Sequence, residues 1–284
     1  MGSPADYLAC IQTESEDLKA YLRALPPDAW GWPSACGDWE IGDVVAHLTA
    51  AGRFFVQSIT NGLQGDVTPL GGRFPAGSAN AAQAAEMIAN TARTSRQQAG
   101  DQLLDQFEAS NDHLNAVFAG IAPEAWATPC YHPWGIIPAR NFLNLRIQEL
   151  ALHGWDMRSP NEPEWQLSPA SLPALMELVD TSATSGFLGW AFRPGEKLAS
   201  PRRYRFDVTG IVTSQRDIVL DGETARLEIA EDIPATAVLR CDTVTYVMLM
   251  FGRLQPEAAM ASQRLVVDGE RDAVSQFVQW FRGI

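Results

Sequence analysis

Apolar residues recur every three or four positions over most of the first 160 residues, the period of helices that each bury one stripe. From Ala5 to Leu25 the stripe is Leu8, Ile11, Leu18, Leu22 and Leu25. Pro26-Pro27 ends it, because proline cannot donate into the helix ladder. A second helix is predicted near Ile41–Asn61, with Val44, Val45, Leu48, Ala51 and Phe55 as its apolar face. A Gly/Pro loop around Pro69–Gly77 separates it from helical stretches over Ala81–Gln98 and Asp101–Ile121; the second of these carries Leu104, Phe107, Leu114, Val117 and Phe118. The fourth main helix is expected to start near Pro138, a residue suited to a first turn, and to run to about Met157. Long amphipathic helices joined by loops bury their stripes most simply as an antiparallel four-helix bundle.

The period changes after Ser159-Pro160. A helix over Ser168–Leu188 and the Pro/Gly/Arg-rich stretch RPGEKLASPRR come first. YRFDVTG, RDIVLDG, ARLEIA and ATAVLRC then alternate or run apolar between turn signals such as Asp221-Gly222, which is strand patterning. A helix in DTVTYVMLMFGRL, a strand in RLVVDG and a terminal helix in DAVSQFVQWFR complete a small α+β domain. The expected fold class is therefore α+β. A four-helix bundle covers 1–160, a connecting helix and linker 161–200, and an α+β domain 201–284.

Composition narrows the class of function without naming one. The chain has 284 residues, 46% hydrophobic and 19% charged, which suits two globular domains. No stretch approaches ~20 uninterrupted apolar residues, so no membrane span is expected. The first residues, MGSPADYLACIQTESED, lack a basic segment leading into an apolar run, so no signal peptide is expected and the protein reads as cytoplasmic. A net charge of −13 argues against a nucleic-acid partner, since phosphate binding needs a basic surface. Cys10, Cys36, Cys130 and Cys241 are scattered with no CxxC pair, and read as free thiols. The expected partners are small molecules, and the chain is expected to be a monomer or homodimer.

Chemistry is concentrated on two of the helices. The fourth is apolar around much of its circumference, through Leu143, Leu145, Ile147, Leu150, Leu152 and Trp155. Against that background Arg146, Glu149, His153 and Asp156 form one polar seam at spacings of three, four and three, on one side of the helix. A carboxylate in such a helix must be paired or bound to a metal. His47 stands in the middle of the second helix, IGDVVAHLTAAGRFF. Two imidazoles and a carboxylate, His47, Glu149 and His153, are the ligand set of an open, catalytic divalent-metal site. The competing reading is structural: an Arg146–Glu149 ion pair with His153–Asp156 beside it. Asp156 fits the partner that orients a ligating imidazole, and Arg146 one that neutralises Glu149. His113 lies off the apolar stripe of its helix and reads as solvated; His132, in the loop CYHPWG, reads as structural. There is no GxSxG elbow, no phosphate-cradling Gly-rich loop and no Rossmann fingerprint.

These motifs resemble a known family. WPSACGDWEIGDVVAHLTA is similar to the first signature of the DinB-like, mycothiol-dependent maleylpyruvate isomerases, and RIQELALHGWDMR to the second, in which Glu-x-x-x-His completes a metal triad. CDTVTYVMLMFGRL followed by RLVVDGERDAVSQF resembles the family's sterol-carrier-like C-terminal domain, where Arg253 fills the position of a typical arginine. The resemblance implies His47, Glu149 and His153 as ligands of a metal, usually zinc. It also implies a low-molecular-weight thiol, mycothiol, as cosubstrate, and Arg253 as a residue binding the substrate or the thiol. The activity implied is attack of that thiol on a small electrophile, by S-transfer or by cis–trans isomerisation. A zinc enzyme without a thiol, or a binding protein with a structural metal, are the alternatives. The long segment Leu63–Gln98 departs from the simplest family members and bears on the electrophile, not on the metal.

Overall fold

The computed structural model describes residues 2–78, 81–184, 192 and 197–283. The chain divides into two compact units, Met1–Ala174 and Leu175–Ile284.

In the first unit α1 (Pro4–Ala24) starts where the patterning predicts. Ser3 accepts from the Asp6 amide at 3.2 Å while Asp6 takes the Ser3 amide at 3.0 Å, and Pro4 sets the first turn. Then come α2 (Ile41–Leu63), α3 (Ala81–Ala99) and α4 (Leu103–Ala119). A two-stranded hairpin follows, β1 (Pro129–His132) and β2 (Gly135–Pro138), and then α5 (Asn141–Arg158). Helix α1 packs on α4 and α5, and α2 on α3, α4 and α5, so α1, α2, α4 and α5 form the bundle with α3 laid against α2. Its core is the predicted stripes: Leu18, Leu22, Val44, Val45, Leu48, Phe55, Phe107, Leu114, Phe118, Ile147 and Leu150 are all buried. Each such side chain contributes about 1.5–3 kcal/mol on burial.

One boundary differs from the sequence reading. Pro138 does not open the fourth bundle helix; it closes β2, opposite Pro129, and α5 begins at Asn141. The β-branched pair Ile136-Ile137 favours a strand, and the chain reversal after His132 gives that strand a partner. The hairpin lies directly on α2. The Ser58 hydroxyl donates to the Tyr131 carbonyl, and a Cβ on Gly62 would fall 2.7 Å from the Pro129 carbonyl oxygen, so only glycine permits the approach.

Helix α6 (Leu172–Thr184) occupies the first part of the predicted Ser168–Leu188 helix; residues 185–188 of that expectation, and 193–196 of the following Pro/Gly/Arg-rich stretch, lie outside the described residues. The strands of the second unit are β3 (Arg202–Thr209), β4 (Ser214–Asp221), β5 (Thr224–Ile229), β6 (Ala237–Asp242) and β7 (Leu265–Gly269). They form one sheet in the order β5-β4-β3-β6-β7, antiparallel except for β3–β6. Helices α7 (Thr243–Met250), α8 (Pro256–Ala261) and α9 (Arg271–Trp280) complete it; the six-residue α8 was too short to register as a period. Tyr204 and Phe206 alternate onto the face where they meet Tyr246 of α7 and Phe277 of α9. Arg203 and Arg205 alternate onto the other, where both grip the fully buried Asp217 at 2.8 Å.

Candidate metal centre

Two helices far apart in sequence deliver the polar seam. On α5, Glu149 and His153 stand one turn apart; on α2, His47 faces them. His47 Nε2 lies 2.8 Å from Glu149 Oε2, and His153 Nε2 lies 3.6 Å from the same oxygen. The two imidazoles meet edge to face at 4.9 Å between centroids. One ligand atom from each of the three residues lies within 4.8 Å of those of the other two. The side chains are 14, 15 and 11% exposed, so the cluster is neither sealed nor on open surface.

Each member is held by a further contact. Asp156, fully buried, stands 2.9 Å from His153 Nδ1, which turns Nε2 towards Glu149. Trp39 stacks edge-on against His47 at 5.4 Å. The loop carrying Trp39 is tied to the last turn of α5 by the Ala35 amide, which donates to the Asp156 carbonyl at 2.7 Å. Burial alone would raise the Glu149 carboxyl, but the charges of His47, His153 and Arg146 and the His47 hydrogen bond outweigh it and hold Glu149 down at about 2. The group is thus a carboxylate at any ordinary pH, and two imidazole nitrogens converge on it.

Arg146 does not form the ion pair the structural reading required. It is fully buried and donates through Nη2 to Asn111 Oδ1 at 2.8 Å, while its Nε and Nη1 find no partner among the described residues. It acts on Glu149 through charge and not through a hydrogen bond. Arg253 belongs to the second unit. It follows α7 after Gly252, whose φ of +70° favours glycine, and its Nη1 donates to the Phe251 carbonyl at 2.8 Å. His113 is exposed. Cys10, Cys130 and Cys241 are buried, and burial pushes their thiols up to about 12, 11 and 12, which rules them out as thiolates at neutral pH. Cys36 is half-buried and shares with His153 and Asp156 a second grouping of ligand atoms within 4.8 Å.

The sequence reading passed over His132. It is the last residue of β1 and is 8% exposed, with its ring between Phe54 at 5.9 Å and Phe142 at 6.1 Å. Burial drives its imidazole down to about 3, against the pull of Glu149, so it is neutral. Its loop position gave no periodicity to read; only the hairpin brings it to the bundle.

A cavity of about 790 Å³ lies elsewhere in the first unit, lined by Trp30, Glu40, Asp43, Arg93, Arg96 and Asp101 among others. Its arginines are paired: Arg96 with Glu40 and Asp43, and Arg93 with Asp38. The residues that could hold a metal are those of the α2–α5 cluster.

Residues 11–158 match the family described as mycothiol maleylpyruvate isomerase N-terminal domain, and residues 196–282 match the SCP-2 sterol transfer family. The crystal structure of the mycothiol-dependent maleylpyruvate isomerase superposes with a TM-score of 0.60, covering 95% of each chain at 16% identity, which is a likeness of fold. Among curated sequences, an uncharacterized protein of Mycobacterium tuberculosis is 31% identical over 61 residues, 22% of this chain; the chain spans only 24% of that relative's length. A second uncharacterized Mycobacterium tuberculosis protein is 23% identical over 198 residues, 69% of this chain and 88% of the relative.

Proposed function

Since the chain belongs to the mycothiol maleylpyruvate isomerase N-terminal domain family, we propose that it is an enzyme using a low-molecular-weight thiol, mycothiol, as nucleophile on a small electrophile. His47, Glu149 and His153 are the ligands of the divalent metal it needs, zinc by preference. The observation that carries this reading is the convergence of His47 Nε2 and His153 Nε2 on one oxygen of a buried, ionised Glu149. Two imidazole nitrogen donors and one carboxylate form the open three-ligand set of a catalytic zinc site, with a position left for an exchangeable group. A cation held there supplies one thing: it keeps a thiol deprotonated at neutral pH.

The chain's own residues do the rest. Asp156 fixes the tautomer and direction of His153, because its carboxylate accepts the hydrogen bond of Nδ1–H. Arg146 holds Glu149 ionised through its charge. Trp39 covers the edge of His47. The thiolate sulfur forms a bond to an electron-poor alkene carbon, and the π electrons move onto the conjugated carbonyl. Rotation about the new single bond followed by loss of the same thiolate gives cis–trans isomerisation. Protonation of the adduct instead gives a thioether, an S-transfer product. Arg253 is a candidate for binding polar groups of substrate or thiol on the family likeness alone.

The test is turnover of a panel of activated alkenes by zinc-loaded protein, with and without mycothiol. Turnover that requires the thiol, is abolished by a chelator and returns with zinc is the expected result. Turnover indifferent to thiol would replace this reading with a Lewis-acid or water-activating zinc enzyme.

A further inference from the structure

The loop between α2 and α3 packs on the β1–β2 hairpin. Tyr131 Oη of β1 donates to the Phe74 carbonyl at 2.5 Å, and the Gly77 amide donates to the Pro133 carbonyl at 3.0 Å. Those two bonds fix Arg73, whose guanidinium carbon stands 4.4 Å from the centroid of the Phe54 ring. Arg73 is half-buried, and no carboxylate among the described residues pairs with it. A guanidinium taken out of water against an aromatic face, with no counter-charge, is costly unless an anion comes to it.

His132 presents the second donor. The Trp134 backbone N–H donates to His132 Nδ1 at 3.3 Å, which leaves the proton of the neutral ring on Nε2. That Nε2–H has no acceptor among the described residues, although the side chain is more than nine-tenths buried. Arg73 and Glu149 both act on His132 through their charges.

Helix geometry sets the distance. Phe54 follows His47 by seven residues on α2, and Phe142 precedes Glu149 by seven on α5, so each pair shares a face two turns apart. The rise over seven residues is about 10 Å. About 10 Å along the two helices from the candidate metal ligands there is thus a neutral donor, His132, between the rings of Phe54 and Phe142, and a cation, Arg73, over Phe54.

We propose that Arg73 and His132 form an anion subsite that holds the carboxylate of the electrophilic substrate. The assignment rests on the metal reading for its purpose, since the subsite places the substrate's far end about 10 Å along the helices from the thiol. It makes the α2–α3 loop, through Arg73, a specificity-determining element of this chain.

The experiment is calorimetric titration of benzoate, a planar carboxylate, and of its neutral isostere benzamide into the full chain, zinc-loaded and chelator-treated. Wild type, Arg73→Gln, Arg73→Lys and His132→Gln are compared, with metal content measured on each. Benzoate binding to wild type in both metal states, weakened at least tenfold in Arg73→Gln and His132→Gln, largely kept in Arg73→Lys and not matched by benzamide, is the expected pattern. Benzoate affinity unchanged in Arg73→Gln, or absent from wild type, overturns the subsite. Affinity that depends on zinc and not on Arg73 also overturns it, because the carboxylate is then on the metal. Arg73 is half-exposed, so its variants test the idea even where the buried His132 variant misfolds. Metal content reads the underlying proposal separately: a wild type without bound zinc sinks the metal centre while leaving the chelator-treated titration interpretable.

Discussion

His47 and Glu149 are separated by 102 positions in sequence, yet Nε2 of one and Oε2 of the other stand 2.8 Å apart between two packed helices. If the pair belongs to a metal site, His153→Ala removes one of three ligands. Purified wild type is expected to carry close to one zinc per chain and the variant close to none by elemental analysis. Wild type that takes up no zinc after incubation would reduce the cluster to a hydrogen-bond network.

Asp156 touches His153 and not the ligand position. Asp156→Asn is expected to weaken zinc affinity about 10–100-fold, as removal of an outer-shell partner commonly does, while saturating zinc still fills the site. Competition with a chromogenic chelator measures this. Affinity within twofold of wild type would show that Asp156 does not orient the imidazole.

Acid stability of the metal-free protein follows from His132. Its imidazole titrates at about 3 in the folded chain against a usual 6.5. Between those values the unfolded chain binds a proton that the folded chain refuses. Stability therefore falls as pH drops from about 6.5 towards 3, on the order of 1.4 kcal/mol per pH unit. Glu149, held at about 2 against 4.5, adds a loss in the same direction at lower pH. Urea melts of His132→Gln are expected to flatten between pH 6.5 and 4.5 and to keep the steeper fall below. An unchanged slope over the upper range would mean that His132 is protonated in the fold.

Arg146 is fully buried with one hydrogen bond and two unmatched nitrogens. Its desolvation is poorly offset, so Arg146→Met, which keeps the length and removes the charge, is expected to leave the metal-free protein as stable or to stabilise it by roughly 1–3 kcal/mol. A thermal melt several degrees lower would reveal an anion or water satisfying those nitrogens.

In the second unit Asp217 is fully buried and bonded by both Arg203 and Arg205. Asp217→Ala strands two guanidinium groups on the sheet and is expected to cost about 3–5 kcal/mol in chemical denaturation. A loss under 1 kcal/mol would mean that Arg203 is satisfied by Glu228 and Arg205 by the carbonyls of Glu231 and Ile233.

The α+β order of the chain was legible because its signals are local. Stripes such as Leu18-Leu22 and Val44-Val45-Leu48 repeat within one helix, and Tyr204-Phe206-Val208 within one strand, so each element carries its own period. Glu149 and His153 were legible for the same reason, as neighbours one turn apart in an otherwise apolar helix. The β1–β2 hairpin was not, because four-residue strands are too short to show alternation and Pro138 serves a strand end as well as it serves a first helical turn. The sequence by itself therefore determined the long helices and the strands of the second unit, their order and the three candidate ligands. Only tertiary structure decided that Arg146 turns to Asn111, that Arg73 lies over Phe54 and that His132 sits between Phe54 and Phe142. Those outcomes depend on contacts between segments distant along the chain, and no periodicity within a segment encodes them.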